Sequence, residues 1–251
     1  GSFRRPLSAA LVAFLLVAPA SAASPDLYSA TVIVTGRDNL SERARGIREA
    51  LPKMLMKLTV DSGLAERAAA EGLEAEALVE RFDYVDRKEG IQISDEQGTR
   101  ERSFELTVRF DPEKVDALVE ELGGSAWTDE RPEIGVALVI DDGASTYLLT
   151  RSSEKGYGQR LALEDESGAL ALPVSLPETV SAAGTLDAAV AEIASPVRLE
   201  GRMAITPAGY WNTEWRLRGD GLDERFASKD ATFDIAIGEA LRHSAKVLAK
   251  R

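Results

Sequence analysis

Residues 197–206 and 210–218 alternate apolar and polar side chains, and no other feature restricts the fold of this chain so tightly. Val197, Leu199, Met203 and Ile205 share one parity on the first run; Trp211, Thr213, Trp215 and Leu217 share it on the second. Strand side chains point alternately to opposite faces, so the pattern demands a hairpin with one face on a core and one in solvent. Pro207, Ala208 and Gly209 supply the turn. Arg198, Glu200, Arg202, Glu214, Arg216 and Arg218 fall on the other face, where cross-strand ion pairing accounts for them. Trp211 and Trp215 are expected in the core. The chain contains no Cys, so no disulfide, thiolate metal site or cysteine nucleophile exists, and the core must be held by packing alone. A chain of 251 residues can bury one large enough.

Elsewhere the period switches between two and 3.6. Residues 28–35 are rich in β-branched side chains and read as a strand. A helix is expected over 41–58, capped by Asn39 or Ser41, with Ala44, Ile47, Leu51, Met54, Leu55 and Leu58 on one stripe. Pro52 should kink it. An Ala- and Glu-rich helical region over 64–80 is interrupted at Gly72. A long irregular strand carries Phe82, Tyr84, Ile91 and Ile93, with a turn at 95–98. Phe104, Leu106, Val108 and Phe110 then alternate strictly, and Asp111-Pro112 opens a short helix that Gly123-Gly124 ends. After a polar connector, residues 134–140 are apolar without alternation, as in a strand covered on both faces. Residues 147–149 extend the sheet, a helix is expected near 158–166, a strand at 169–174 and a helix at 186–194. A third strand at 224–228 follows the hairpin, and a helix over 231–249 closes the chain. These elements define an α/β (α+β) protein: a β-α-α-β-β-α unit over 24–126 and a second α/β unit with a mixed sheet over 127–251.

Arg4 and Arg5, the apolar run 7–18 and the small residues 20–22 follow the order of a signal peptide over residues 1–23, with cleavage near Ala22 or Ala23. Twelve apolar residues fall short of the roughly 20 that span a bilayer; an uncleaved anchor is the rival reading. The expected location is the periplasm. The net charge of -12 disfavours nucleic acid, and no cofactor or phosphate-cradling motif occurs.

The residues at 28–59 (YSATVIVTGRDNLSERARGIREALPKMLMKLT) and 104–143 (FELTVRFDPEKVDALVEELGGSAWTDERPEIGVALVIDDG) resemble DUF2066, a family of exported proteobacterial proteins catalogued as a domain of unknown function. In the second block a strand ends in an F-D-P helix start, and a Trp and an E-R-P precede the apolar strand. The resemblance implies an exported envelope protein. The second unit is also similar in element order to the small TolB N-terminal-like α/β domain, which acts by docking to partners.

Candidate chemistry is sparse. His243, the only His, falls off its helix stripe and is expected at the surface, with no second His for a triad or zinc site. Ser152 and Lys155 match S-x-x-K without its companion motifs. Asp141 and Asp142, at the end of the buried strand, suit a ligand or, with Glu164, Asp165 and Glu166, a hard cation; turn chemistry is the simpler account. Asp220, Asp223 and Glu224 offer a similar cluster. No carboxylate pair for glycoside hydrolysis can be singled out among 42 acidic residues. Trp127 in the connector either wedges the two units together or waits for a partner. These features favour a non-enzymatic interaction module of the envelope that binds a protein partner. A carboxylate or Ser152/Lys155 hydrolase and a small-ligand carrier holding its ligand in the second unit remain the alternatives.

Overall fold

A computed structural model describes residues 25–88, 102–179 and 186–251. The expected signal peptide, Ile91, Ile93 and the 95–98 turn lie outside them. The fold is mixed α+β, built on two sheets.

The first sheet has the order β1 (Ser29–Thr35), β3 (Ser103–Phe110), β2 (Val79–Asp86), all antiparallel. Helix α1 (Leu40–Thr59) lies on it. Ala30, Val32 and Val34 from β1 and Leu106, Val108 and Phe110 from β3 meet Ile47, Leu51, Met54, Leu55 and Leu58 in one core. The parity of β3 and the stripe of α1 therefore bury the residues that their periods select, except that Phe104 is only partly buried and Ala44 lies outside the core. Asn39 caps α1 by accepting from Glu42 N–H at 3.1 Å. The helix runs unbroken through Pro52. Helix α2 (Ser62–Ala70), capped by Asp61, packs on α1 and ends before Gly72, which sits at φ +62°. The segment expected as one helical region up to residue 80 instead closes with a 3-10 turn (Ala75–Leu78), and Glu80 already belongs to β2. Helix α3 (Pro112–Glu121) starts on Asp111, whose carboxylate accepts from Glu113 and Lys114 N–H.

The second sheet contains β4 (Ile134–Asp141), β5 (Thr146–Leu148), β6 (Val174–Ser175), β7 (Val197–Ile205), β8 (Trp211–Gly219) and β9 (Leu222–Asp230). Its order is β5-β4-β7-β8-β9, with β6 beside the start of β4. Strands β6 and β7 run parallel to β4; the other pairs are antiparallel. Helices α4 (Tyr157–Leu170) and α6 (Phe233–Leu248) cover one face, over Val136, Leu138, Leu199, Met203, Trp211, Trp215 and Leu217. Helix α5 (Leu186–Glu192) lies on the other, where Val190 and Ile193 pack with Ala137, Val139 and Leu148. Strand β4 is thus enclosed on both sides, which its unbroken apolar run requires.

Two boundaries differ from expectation. Residues 169 and 170 belong to α4 rather than to a strand, and β6 keeps only two residues. The third strand, expected over five residues, spans nine. Its pattern was hidden because Glu224, Ser228 and Asp230 occupy the inward parity with Leu222 and Phe226, and all five are only half-buried.

Candidate functional site

The C-terminal ends of α1 and α4 meet between the two sheets. Each leaves terminal carbonyls without helical partners, and each carries the negative end of a helix dipole. The connector answers both. Trp127 N–H donates to Leu58 O at 2.8 Å. The Arg131 guanidinium donates to Leu170 O from Nη1, and from Nη2 to Lys57 O at 2.7 Å and Trp127 O at 3.1 Å. Its carbon stands 4.5 Å from the centre of the Trp127 ring. Arg131 is 8% exposed and Trp127 7%. Burial lowers the Arg131 pKa to about 10. No carboxylate forms an ion pair with Arg131 among the described residues, and its Nε makes no hydrogen bond. Two helix C-termini take the place of a counter-ion. Trp127 is therefore the wedge between the units, packed with Val60 and Ile134 in the second core.

Beside this junction opens a groove of about 600 Å³. Strand β1 supplies Ala30 and Thr31, α1 supplies Pro52, Lys53, Met56 and Lys57, and α4 supplies Gly168 and Ala169. Pro52 and Met56, one helical turn apart, form a second apolar strip on the flank of the core stripe. Lys57 is half-buried and donates from Nζ to Asp26 O at 2.9 Å. Burial pulls its pKa below the usual lysine value; Arg131 adds to the fall and Asp26 opposes it. The Asp26 carboxylate is turned to Tyr28 N–H and to Arg109. Burial pushes that carboxyl up, but Arg109 and Tyr28 together outweigh it and hold it below its usual value. Lys53 pairs with Glu49 at 3.0 Å. Lys57 has no such carboxylate among the described residues.

A second surface is the β7–β8–β9 face that α4 and α6 do not cover. It carries Arg198, Arg202, Arg216, Arg218, Arg225 and Lys229 against Glu200, Glu214 and Asp223; Arg198 is half-buried, with its Nε out of solvent. Ion pairing explains only part of it. Arg218 meets Glu200 at 3.2 Å and Arg216 turns to Asp223 on β9 at 2.6 Å. Among the described residues Arg202 and Glu214 form no ion pair, although their positions face each other. Arg198 stands directly opposite Arg218, and Arg216 directly opposite Arg225. Like charges so placed are unfavourable.

The remaining candidates are not brought together. Asp141 accepts from Gly143 N–H at 2.9 Å, and Asp142 from Ala144 and Ser145 N–H at 2.9 and 2.7 Å, so both shape the β4–β5 turn. These N–H groups hold Asp142 below the usual carboxylate pKa. Glu166 pairs with Arg242, and Asp223 with Arg216. Among the described residues no three His, Asp or Glu side chains converge as metal ligands. Ser152 Oγ donates to Glu178 O at 2.6 Å, while Lys155 Nζ reaches Ser145 Oγ. Residues 152–155 are not helical, so the spacing that would stack Lys155 on Ser152 is lost. His243 is half-covered rather than free: its Nε2 lies 2.9 Å from Glu224 Oε1, and its ring stacks on Phe226 at 4.2 Å.

Sequence reasoning missed Arg131, Lys57 and the groove. The one available hint was the Pro52–Met56 strip, apolar yet outside the stripe of α1.

Fold and site together describe a two-sheet α+β protein with a clamped junction, an apolar groove at that junction and a basic sheet face. The chain matches the model of a family described as a domain of unknown function (DUF8605) over residues 21–128, less than half its length. That stretch holds the first sheet and ends beside Trp127. The family differs from DUF2066, and the match does not bear on that resemblance. No curated protein matches the chain. Among the described residues no helix is long and apolar enough to cross a membrane.

Proposed function

We propose that this chain is an exported, non-enzymatic binding module of the cell envelope, and that it docks the β7–β8–β9 part of the second sheet's α5-side face onto an acidic protein surface. One observation carries the reading: six cations against three carboxylates share a single sheet face in a chain whose net charge is -12. Glu200 and Asp223 answer one arginine of each directly opposed pair, which leaves Arg198 and Arg225 without ion pairs among the described residues for anionic groups of a partner to meet. Interspersed Glu200, Glu214 and Asp223 favour a polypeptide of mixed charge over a phosphate backbone. Export rests on the Arg4–Ala22 pattern and on the DUF2066 resemblance.

The test places a photocrosslinking residue at Arg202 or Lys229, and at Glu71 as a control on α1's side of the molecule, in the native cell. A protein adduct from the first two sites only, lost in the Arg202→Glu/Arg225→Glu variant and at high salt, is the expected result. Adducts from Glu71 alone, or adducts to RNA, overturn the docking face. Recovery of the chain in the cytosolic fraction with residues 4–22 intact overturns export.

A further inference from the structure

We propose that the groove between α1 and α4 binds a long-chain carboxylate, its apolar tail on Pro52, Met56 and Ala169 and its head on Lys57. This site is separate from the basic sheet face and stands or falls independently of it. Its volume of about 600 Å³ lies in the ~300–1,000 Å³ range of small-molecule sites, and such sites combine apolar walls with few polar groups. Here the walls are Ala30, Pro52, Met56 and Ala169; the Thr31 hydroxyl is taken up by Thr107 at 2.8 Å, and among the described lining residues Lys57 is the charged group without an ion pair. Lys57 gives one proton to Asp26 O and keeps two. It has left bulk water and forms no ion pair among the described residues: the nearby Asp26 carboxylate acts on it but is engaged by Arg109, and Arg131 acts in the opposite sense. A carboxylate bound in the groove supplies the direct ion pair that Lys57 lacks. Lys53 at the rim is engaged by Glu49, so among the described lining residues Lys57 is the one cation without an ion pair, which suits a monoanionic carboxylate better than a phosphate.

Gly168 supplies an internal check. A Cβ built there meets nothing within 4 Å, because the residue faces the groove. Gly168→Leu therefore starts its side chain in open space at the groove and narrows it, while improving helix propensity.

The experiment titrates the full chain with laurate below its micelle concentration by isothermal calorimetry, with dodecanol and dodecyl phosphate in parallel. Laurate is expected to bind at one site, about 10- to 100-fold more tightly than dodecanol, the worth of one charge-assisted hydrogen bond. Lys57→Met should remove that advantage and leave dodecanol unchanged, while Gly168→Leu should abolish binding of both with an undiminished melting temperature. Absence of laurate heat, or equal affinities in the parent and both variants, overturns the site. Tighter binding of dodecyl phosphate overturns the carboxylate assignment.

Discussion

Arg131 shows how one buried charge is tolerated without an opposite one. Its guanidinium meets the carbonyls at the ends of two helices, so partial charges that exist in any helix serve as counter-ion. Removing it strands three acceptors, of which two terminate helices. Each unsatisfied acceptor costs on the order of 1–3 kcal/mol, while relief of the desolvated charge returns part of that. Arg131→Ala is therefore expected to lower stability by about 2–3 kcal/mol in urea denaturation. Arg131→Lys should not restore it, because an ammonium lacks the planar fork that spans both helix ends. A Lys variant as stable as the parent would refute the fork. At the surface, Glu42 is held at a pKa of about 2 by Arg45 and Thr35 N–H, and Glu49, Asp26, Asp142 and Asp223 are also held low. Unfolding frees these carboxyls to bind protons at higher pH than the folded state does. Their stabilisation is present above about pH 4.5 and is lost as pH falls toward about 2. Glu166, raised by burial against the pull of Arg242, works in the opposite sense. The melting temperature should fall steadily between those limits; a flat profile would contradict the carboxylate pattern.

At the scale of elements, the hairpin is sealed by a size match. Gly201 lies directly across from Trp215, and a Cβ there would stand 2.3 Å from the indole Cζ3. Trp215 is wedged into the core and cannot retreat. Gly201→Ala should therefore destabilise the chain by roughly 1–3 kcal/mol, with the loss showing first in hydrogen exchange of β7 and β8. Helix α3 offers a milder case. Asp111→Ala removes the cap on Glu113 and Lys114 N–H and should cost about 1 kcal/mol, read as a shift in urea midpoint with unchanged slope. Elements with one face buried were legible in the sequence: β3, β7, β8 and the stripes of α1 and α6 carry their periods openly. The end of α4 was not legible. Residues 166–171 mix helix formers with Gly168 and carry no stop signal, and the helix extends to Leu170, where Arg131 donates to the last carbonyl. Strand β9 escaped in part because polar side chains share its inward parity under the edge of α6.

For the molecule as a whole, the two cores are joined by more than a linker. Met56 contacts both, Val60 belongs to the second although α1 lies on the first sheet, and Trp127 and Arg131 bind the two helix ends. The parent chain should unfold in one calorimetric transition. The double variant Trp127→Ala/Arg131→Ala removes both the wedge and the clamp, a loss of roughly 3–5 kcal/mol from the Trp alone. It is expected to split the unfolding into two transitions, one per sheet. A single transition in that variant would place the coupling elsewhere.

Periodicity, turn residues and the lack of cysteine were enough, without coordinates, to specify an α+β chain of two sheets with Trp211 and Trp215 inside. Those properties depend on neighbours close in sequence and on the parity of a half-buried face. The clamp at Arg131, the half-buried Lys57 and the groove at Gly168 depend on which helix ends come together, and residues more than seventy positions apart settle that. Only three-dimensional packing decides whether a lysine on a helix flank meets solvent or an apolar wall, because the desolvation that gives it a function is a property of its surroundings.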